Sequence, residues 1–137
     1  MAANIRRVEY YDVTLRDRPA EGYRLLSLLE GAGVDLLAFH AVPMGPDLVR
    51  FALFTQDVDA LKRLAQEGGM QLTGPQHALL VQGEDDLGAL VDVHKRISDA
   101  GVNIFASWGV MDGRGGYGCV LFVRSERYEE AARALGL

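Results

Sequence analysis

Cysteine is almost missing from this chain, with one residue, Cys119, in 137. A single sulfur excludes an intramolecular disulfide framework and a metal site built of cysteines alone, since both need several thiols. It fits a reducing, cytoplasmic setting. Clustered positive charge is missing too: 14 Lys and Arg stand against 19 Asp and Glu, a net charge of −5, with no basic run. Neither a phosphate backbone nor an anionic membrane surface has a footprint to meet, so nucleic acid and membrane are not expected partners. No stretch approaches the roughly 18 apolar residues of a membrane span, and the two arginines near the start precede no apolar segment of signal-peptide length. Glycine, by contrast, is plentiful at 16 residues. Most of these glycines fall where helices should end or chains should turn, which implies many short elements.

That spacing exposes an internal repeat. Ala32–Met44 (AGVDLLAFHAVPM) lies over Ala100–Asp112 (AGVNIFASWGVMD) at an offset of 68 residues, with 5 of 13 positions identical. The same register runs back to Tyr10 over Ala78 and forward to Leu53-Phe54 over Leu121-Phe122. A slip of one residue then sets Leu61, Leu64 and Ala65 over Tyr128, Ala131 and Ala132. Each copy is one supersecondary unit expected to bury a face that it cannot cover alone. The boundary is placed between residues 1–73 and 74–137.

Periodicity gives both copies one plan. In the first, Val8–Leu15 reads as a strand. A helix begins near Pro19, carries Tyr23, Leu25, Leu26, Leu28 and Leu29, and ends at Gly31 and Gly33. Val34–Val42 and Leu48–Thr55 form a strand pair, Asp57 caps a second helix stopped by Gly68-Gly69, and Met70–Thr73 makes a short strand before Gly74-Pro75. In the second, Ala78–Gln82 is a strand and Asp86–Ala100 a helix with Leu87, Leu90, Val91, His94 and Ile97 on its apolar side. Val102–Met111 and Gly118–Arg124 form a strand pair, and Ser125 caps a helix through Leu135. The class is α+β: two tandem ferredoxin-like βαββαβ units, with antiparallel strands covered on one face by helices. The second unit has no last strand of its own. Its sheet is expected to be completed by residues Ala3 to Arg7, by another chain, or to stand with three strands.

No catalytic constellation, cofactor fingerprint or metal site emerges. Gly113–Gly118, GRGGYG, matches a dinucleotide motif by letters. However, it joins two strands rather than a strand to a helix, and no acidic residue follows at the needed distance. His40, His77 and His94 form no zinc pattern, though His40 and Asp12 could meet in space. The chemistry that stands out is a helix N-terminus. Asp85, Asp86, Leu87 and Gly88 lead into the second copy's first helix, and Asn103 and Ile104 open the following strand. A helix start suits a carboxylate, the acidic residues suit an ammonium group, and Asn103 both donates and accepts, so the group suits a free amino acid. Capping and turn formation explain the same residues without a ligand.

These residues resemble the ACT domain, a regulatory amino-acid-binding module in which a strand, a D-x-P-G-x-L-like turn and a helix precede A-G-V-N-I. The second copy shows Asp85-Asp86-Leu87-Gly88-Ala89-Leu90 and Ala100-Gly101-Val102-Asn103-Ile104. The first shows Asp17-Arg18-Pro19 and Ala32-Gly33-Val34-Asp35-Leu36, with Ala20 where glycine is usual and Asp35 in place of Asn. The resemblance runs from Val8 to Leu135. It implies a non-catalytic regulator that binds a small-molecule effector, pairs as a homodimer and serves a separately encoded enzyme. It also implies ligand contacts at Asp86, Leu87, Gly88 and Asn103, with Asp17, Arg18, Pro19 and Asp35 as a weaker counterpart. A ligand-independent dimerisation module is the alternative.

Overall fold

The computed structural model describes residues 4–84 and 87–137. They form two compact units, Glu9–Gln76 and His77–Leu137, the latter joined by the chain through Val8.

In the first unit β1 (Asn4–Arg16), α1 (Glu21–Gly31), β2 (Ala38–Pro43), β3 (Leu48–Phe54), α2 (Val58–Gly68) and the start of β4 (Thr73–Glu84) follow in order. The strands are arranged β2-β3-β1, antiparallel, with Val13 opposite Phe51 and Tyr11 opposite Leu53. Because strand side chains alternate, these four share a face, and they meet Leu25 and Leu29 of α1 and Leu61 of α2 in one core. The face of α1 is narrower than its sequence suggests. Only Leu25 and Leu29, one turn apart, are buried, and Tyr23 is 76% exposed.

Several boundaries move. Val34–Leu37 is irregular and the strand starts at Ala38, although Val34 and Leu36 still pack in the core. Asp57 precedes α2 without a side-chain cap; its carboxylate accepts the Asp35 N–H at 3.1 Å instead. Met70–Thr73 is not a separate strand. The chain enters β4 at Thr73 and runs without a break to Glu84, through Gly74 and a cis Gly74-Pro75 peptide. Glycine is required there: its φ is 148°, and an added Cβ would stand 2.9 Å from the Tyr10 carbonyl oxygen.

The second unit comprises the rest of β4, α3 (Leu87–Asp99), β5 (Ile104–Met111), β6 (Gly116–Val123), a 3₁₀ turn at Ser125–Arg127, and α4 (Tyr128–Ala134). Its order is β4-β6-β5, with Val81 opposite Cys119 and Trp108 opposite Val120. The start of β1 lies beside β4 on the side away from β6 and supplies the missing strand. Ile5 packs on the core, Arg6 donates to Gln82, and Arg7 makes a two-pronged bond to Glu129 at 2.7 and 3.1 Å. Arg7 also lies over the Tyr128 ring, whose hydroxyl donates to the Ala78 carbonyl at 2.9 Å. Ser125 opens the 3₁₀ turn rather than capping an α-helix, and its hydroxyl faces the Glu126 carboxylate.

The core face of α3 is Leu90, Val93 and Ile97, at i, i+3 and i+7. Val93 therefore takes the place expected for Leu87 and Val91, which are 68% and 59% exposed. His94 sits beside them, half-buried.

The repeat recurs atom by atom. Val34 N donates to Leu29 O as Val102 N does to Ile97 O, and Met44 N donates to Leu48 O as Asp112 N does to Gly116 O. Each pair is 68 residues apart. The glycines that permit these turns match as well: Gly33 and Gly101 have φ of 72° and 75°, and Gly45 and Gly113 have 83° and 76°.

Candidate functional site

Helix α3 begins at Leu87, so Leu87 and Gly88 occupy the turn where a helix carries partial positive charge. Asp85 and Asp86 lie outside the described residues. At the other end of α3, Gly101 reverses the chain and Val102 is buried, which leaves Asn103 pointing to solvent as β5 begins and Ile104 partly packed on the core.

Between α3 and the sheet runs an open groove of about 540 Å³. Leu87, Leu90, Val91 and His94 line its helical wall, with Lys95 and Ser98 further along. Ser107 and Gly109 of β5 and Cys119 of β6 make its floor. Among the described residues expected from sequence, Leu87 alone lines this groove; Gly88, Asn103 and Ile104 flank α3 and β5 outside it. The periodic signal pointed the other way, because Leu87, Val91 and His94 read as core. A groove wall and a core face carry the same apolar letters, and only the position of Val93 separates them.

The polar groups of the groove are mostly committed. His94 Nδ1 donates to the Leu90 carbonyl at 2.7 Å, which fixes the ring proton there. The Lys95 ammonium holds Asp99 at 2.6 Å, and that carboxylate raises the lysine's pKa. Burial pushes the Cys119 thiol up, away from the thiolate that a nucleophile requires.

In the first unit Asp17, Arg18 and Pro19 precede α1 and Asp35 follows it, at opposite ends of the helix. Asp17, Arg18 and Pro19 are exposed in the turn before α1, with Asp17 N bonded to the Asp47 carbonyl. Asp35 is held by its backbone, its N–H on Asp57 and its carbonyl accepting from the Thr55 hydroxyl at 2.6 Å. A nearby 310 Å³ hollow beside α1 is lined by Leu15, Leu25, Leu28 and Met70, with Glu21 and Arg24 at its edge, and includes none of these four.

Elsewhere, Asp12 is buried. Its carboxylate accepts from Gln76 at 2.7 Å, and Gln76 in turn accepts from the Tyr10 hydroxyl at 3.0 Å. Burial lowers the His40 pKa, and Asp12 pulls it partly back. GRGGYG covers the β5–β6 hairpin turn and the start of β6, and the turn is shaped by Asp112, whose carboxylate accepts from Arg114 N and Gly116 N. Among the described residues no group of three or more His, Cys, Asp or Glu could hold a metal ion, and no helix is long and apolar enough to cross a membrane.

No family model matches the chain, and no curated protein matches it in sequence. Solved structures do match in fold. One is a protein from Bacteroides thetaiotaomicron, with a TM-score of 0.78 and 13% identity over 98% of this chain and 88% of that one. The regulatory subunit of aspartate kinase from Thermus thermophilus, in its ligand-free form, gives 0.65 and 15% over 99% and 95%. Its counterpart from Thermus flavus gives 0.56 and 14% over 99% and 95%. At these identities the likeness is one of fold.

Proposed function

We propose that the chain is a tandem ACT-like regulator, non-catalytic, that binds a free amino acid at the start of α3. The observation that carries this reading is the exposed pair formed by Leu87 and Gly88 on a helix N-terminus, with a groove running from Leu87 along the same helix. The positive end of the helix suits the ligand carboxylate. Asn103, exposed at the start of β5, lies beyond the far end of α3, about 20 Å away along the helix, so its amide reaches an amino acid at a helix start from the second copy of the homodimer. The likeness in fold to regulatory subunits of aspartate kinase, along nearly their whole length, supports a regulatory role. In this reading the chain acts in the cytoplasm as a homodimer on a separately encoded enzyme. The effector shifts its association by binding one arrangement more tightly than another.

Titration calorimetry against the proteinogenic amino acids tests this. One or a few should bind, and Asn103→Ala and Gly88→Val should each weaken binding; heat from none of them, with the chain folded, overturns the proposal.

A second reading, ligand-independent association, is favoured by one specific feature. Among the described residues β5, IFASWGVM, has β6 on one side only, and it carries neither charge nor proline, the usual protections of an edge strand. Val110 on it is 73% exposed. Sedimentation with and without amino acids separates the readings: a scaffold assembles identically in both conditions, and Val110→Lys dissociates it.

A further inference from the structure

The floor of the groove lies where the two repeats differ at three matching positions. Where the first unit has Phe39, Ala41 and Phe51, the second has Ser107, Gly109 and Cys119, each 68 residues on. The register confirms the match. Phe39 faces Leu53 as Ser107 faces Leu121, and Phe51 faces Val13 as Cys119 faces Val81.

All three differences reduce side-chain volume on the helix-facing side of the sheet, the one at Phe39 doing so at the edge strand, where Phe39 is itself 48% exposed. One is compensated: the Phe51 ring lies 3.4 Å from where a Cβ on Gly22 would stand, and the residue matching Gly22 is Leu90, which refills part of that space. The other two leave the floor of the groove open below Val91. Backbone geometry does not demand glycine at 109. A Cβ there would meet Gly118 O at 3.6 Å and Cys119 Sγ at 3.8 Å, ordinary contact distances, so the missing side chain serves the space above it.

We propose that this groove receives the side chain of the effector, and that the effector is therefore an aliphatic amino acid of the leucine, isoleucine, valine or methionine kind. The inference rests on the amino-acid reading above. Leu87 joins the two parts, belonging both to the helix start that suits the carboxylate and to the groove wall. The wall beyond it is Leu90 and Val91, and the floor is Gly109, the buried Cys119 thiol and the small Ser107. The one cation among the described lining residues, Lys95, is paired with Asp99, so an acidic side chain meets no uncommitted cation there. A basic side chain finds no carboxylate among the described lining residues.

The test grafts the first repeat's residues onto the second. Ser107→Phe with Gly109→Ala fills the groove with side chains that the same fold carries at matching positions, and Asn103→Ala serves as the comparison. Circular dichroism and thermal melting verify folding, and calorimetry measures binding of leucine, isoleucine, valine, methionine, serine, aspartate and lysine. The wild-type chain should bind the aliphatic members most tightly, and the double variant should lose about tenfold or more in affinity for them. Tightest binding to serine, aspartate or lysine, weakened by Asn103→Ala, overturns the aliphatic assignment and leaves the amino-acid reading standing. Aliphatic binding unchanged in the double variant overturns the groove. Binding of no amino acid overturns both.

Discussion

Ala20 offers a sharp check on the backbone that leads into α1. It stands at the N-cap with φ 71°, the one non-glycine residue in left-handed conformation among the described residues. An L-residue held there costs about 1–2 kcal/mol, because its Cβ crowds the following carbonyl. Replacing it with glycine removes that crowding but adds freedom to the unfolded chain worth about 0.4–1 kcal/mol. The balance predicts that Ala20→Gly stabilises the protein by about 0.5–1 kcal/mol and raises its midpoint by about 2–4 °C. Glycine is also the better N-cap of the two, which adds in the same direction. Urea titration followed by circular dichroism reads the difference directly. Ala60→Gly, inside α2, is the control of opposite sign and should cost about 1 kcal/mol. A lower midpoint for Ala20→Gly would refute the reasoning, since the residue would then occupy ordinary backbone.

Gly74→Ala should destabilise by about 2–4 kcal/mol in the same titration, because the added methyl meets the Tyr10 carbonyl at 2.9 Å on a backbone that alanine disfavours. Since the folded His40 has a pKa below 6.5, the unfolded chain takes up that proton first. The contribution of neutral His40 is therefore complete above about pH 6.5 and declines as pH falls through that value toward the folded pKa. Melts at a series of pH values should show this decline, shallower in His40→Asn; identical curves contradict it. Cys119 should react with a thiol reagent at the rate of unfolding, since its thiol is buried and held protonated; fast labelling of the native protein would contradict this. A chain lacking residues 1–7 should lose protection from hydrogen exchange along β4 and α4, because Arg6 binds Gln82 of β4 and Arg7 binds Glu129 of α4; unchanged protection would mean that three strands suffice.

The α+β plan was legible because the repeat is written in its turns. Gly33 and Gly101, and Gly45 and Gly113, mark matching positive-φ positions, and between them the alternating strands and paired helices could be placed. Strand continuity was not legible. Gly74-Pro75 carries turn letters, yet close passage beside Tyr10 makes that glycine part of a strand. The fourth strand of the second unit was legible only as one of several options, since Asn4–Val8 and the rest of β1 form one strand whose halves belong to different units. In the candidate site, letters located α3 but not its orientation. Leu87, Val91 and His94 fit the helical period as well as Val93 does, and tertiary packing decided which of them faced inward. The small residues Ser107 and Gly109 gave no signal alone; they become informative against Phe39 and Ala41 in the other copy.

The central claim is that an amino acid binds along α3 of the second unit. An amide NMR titration of the full chain with leucine tests it most directly. The account predicts saturable shifts at Leu87, Gly88, Val91 and Asn103, with the matching residues of the first unit, Pro19 aside, left in place. Shifts confined to α1 and β2, or none with any amino acid at saturating concentration, would contradict it.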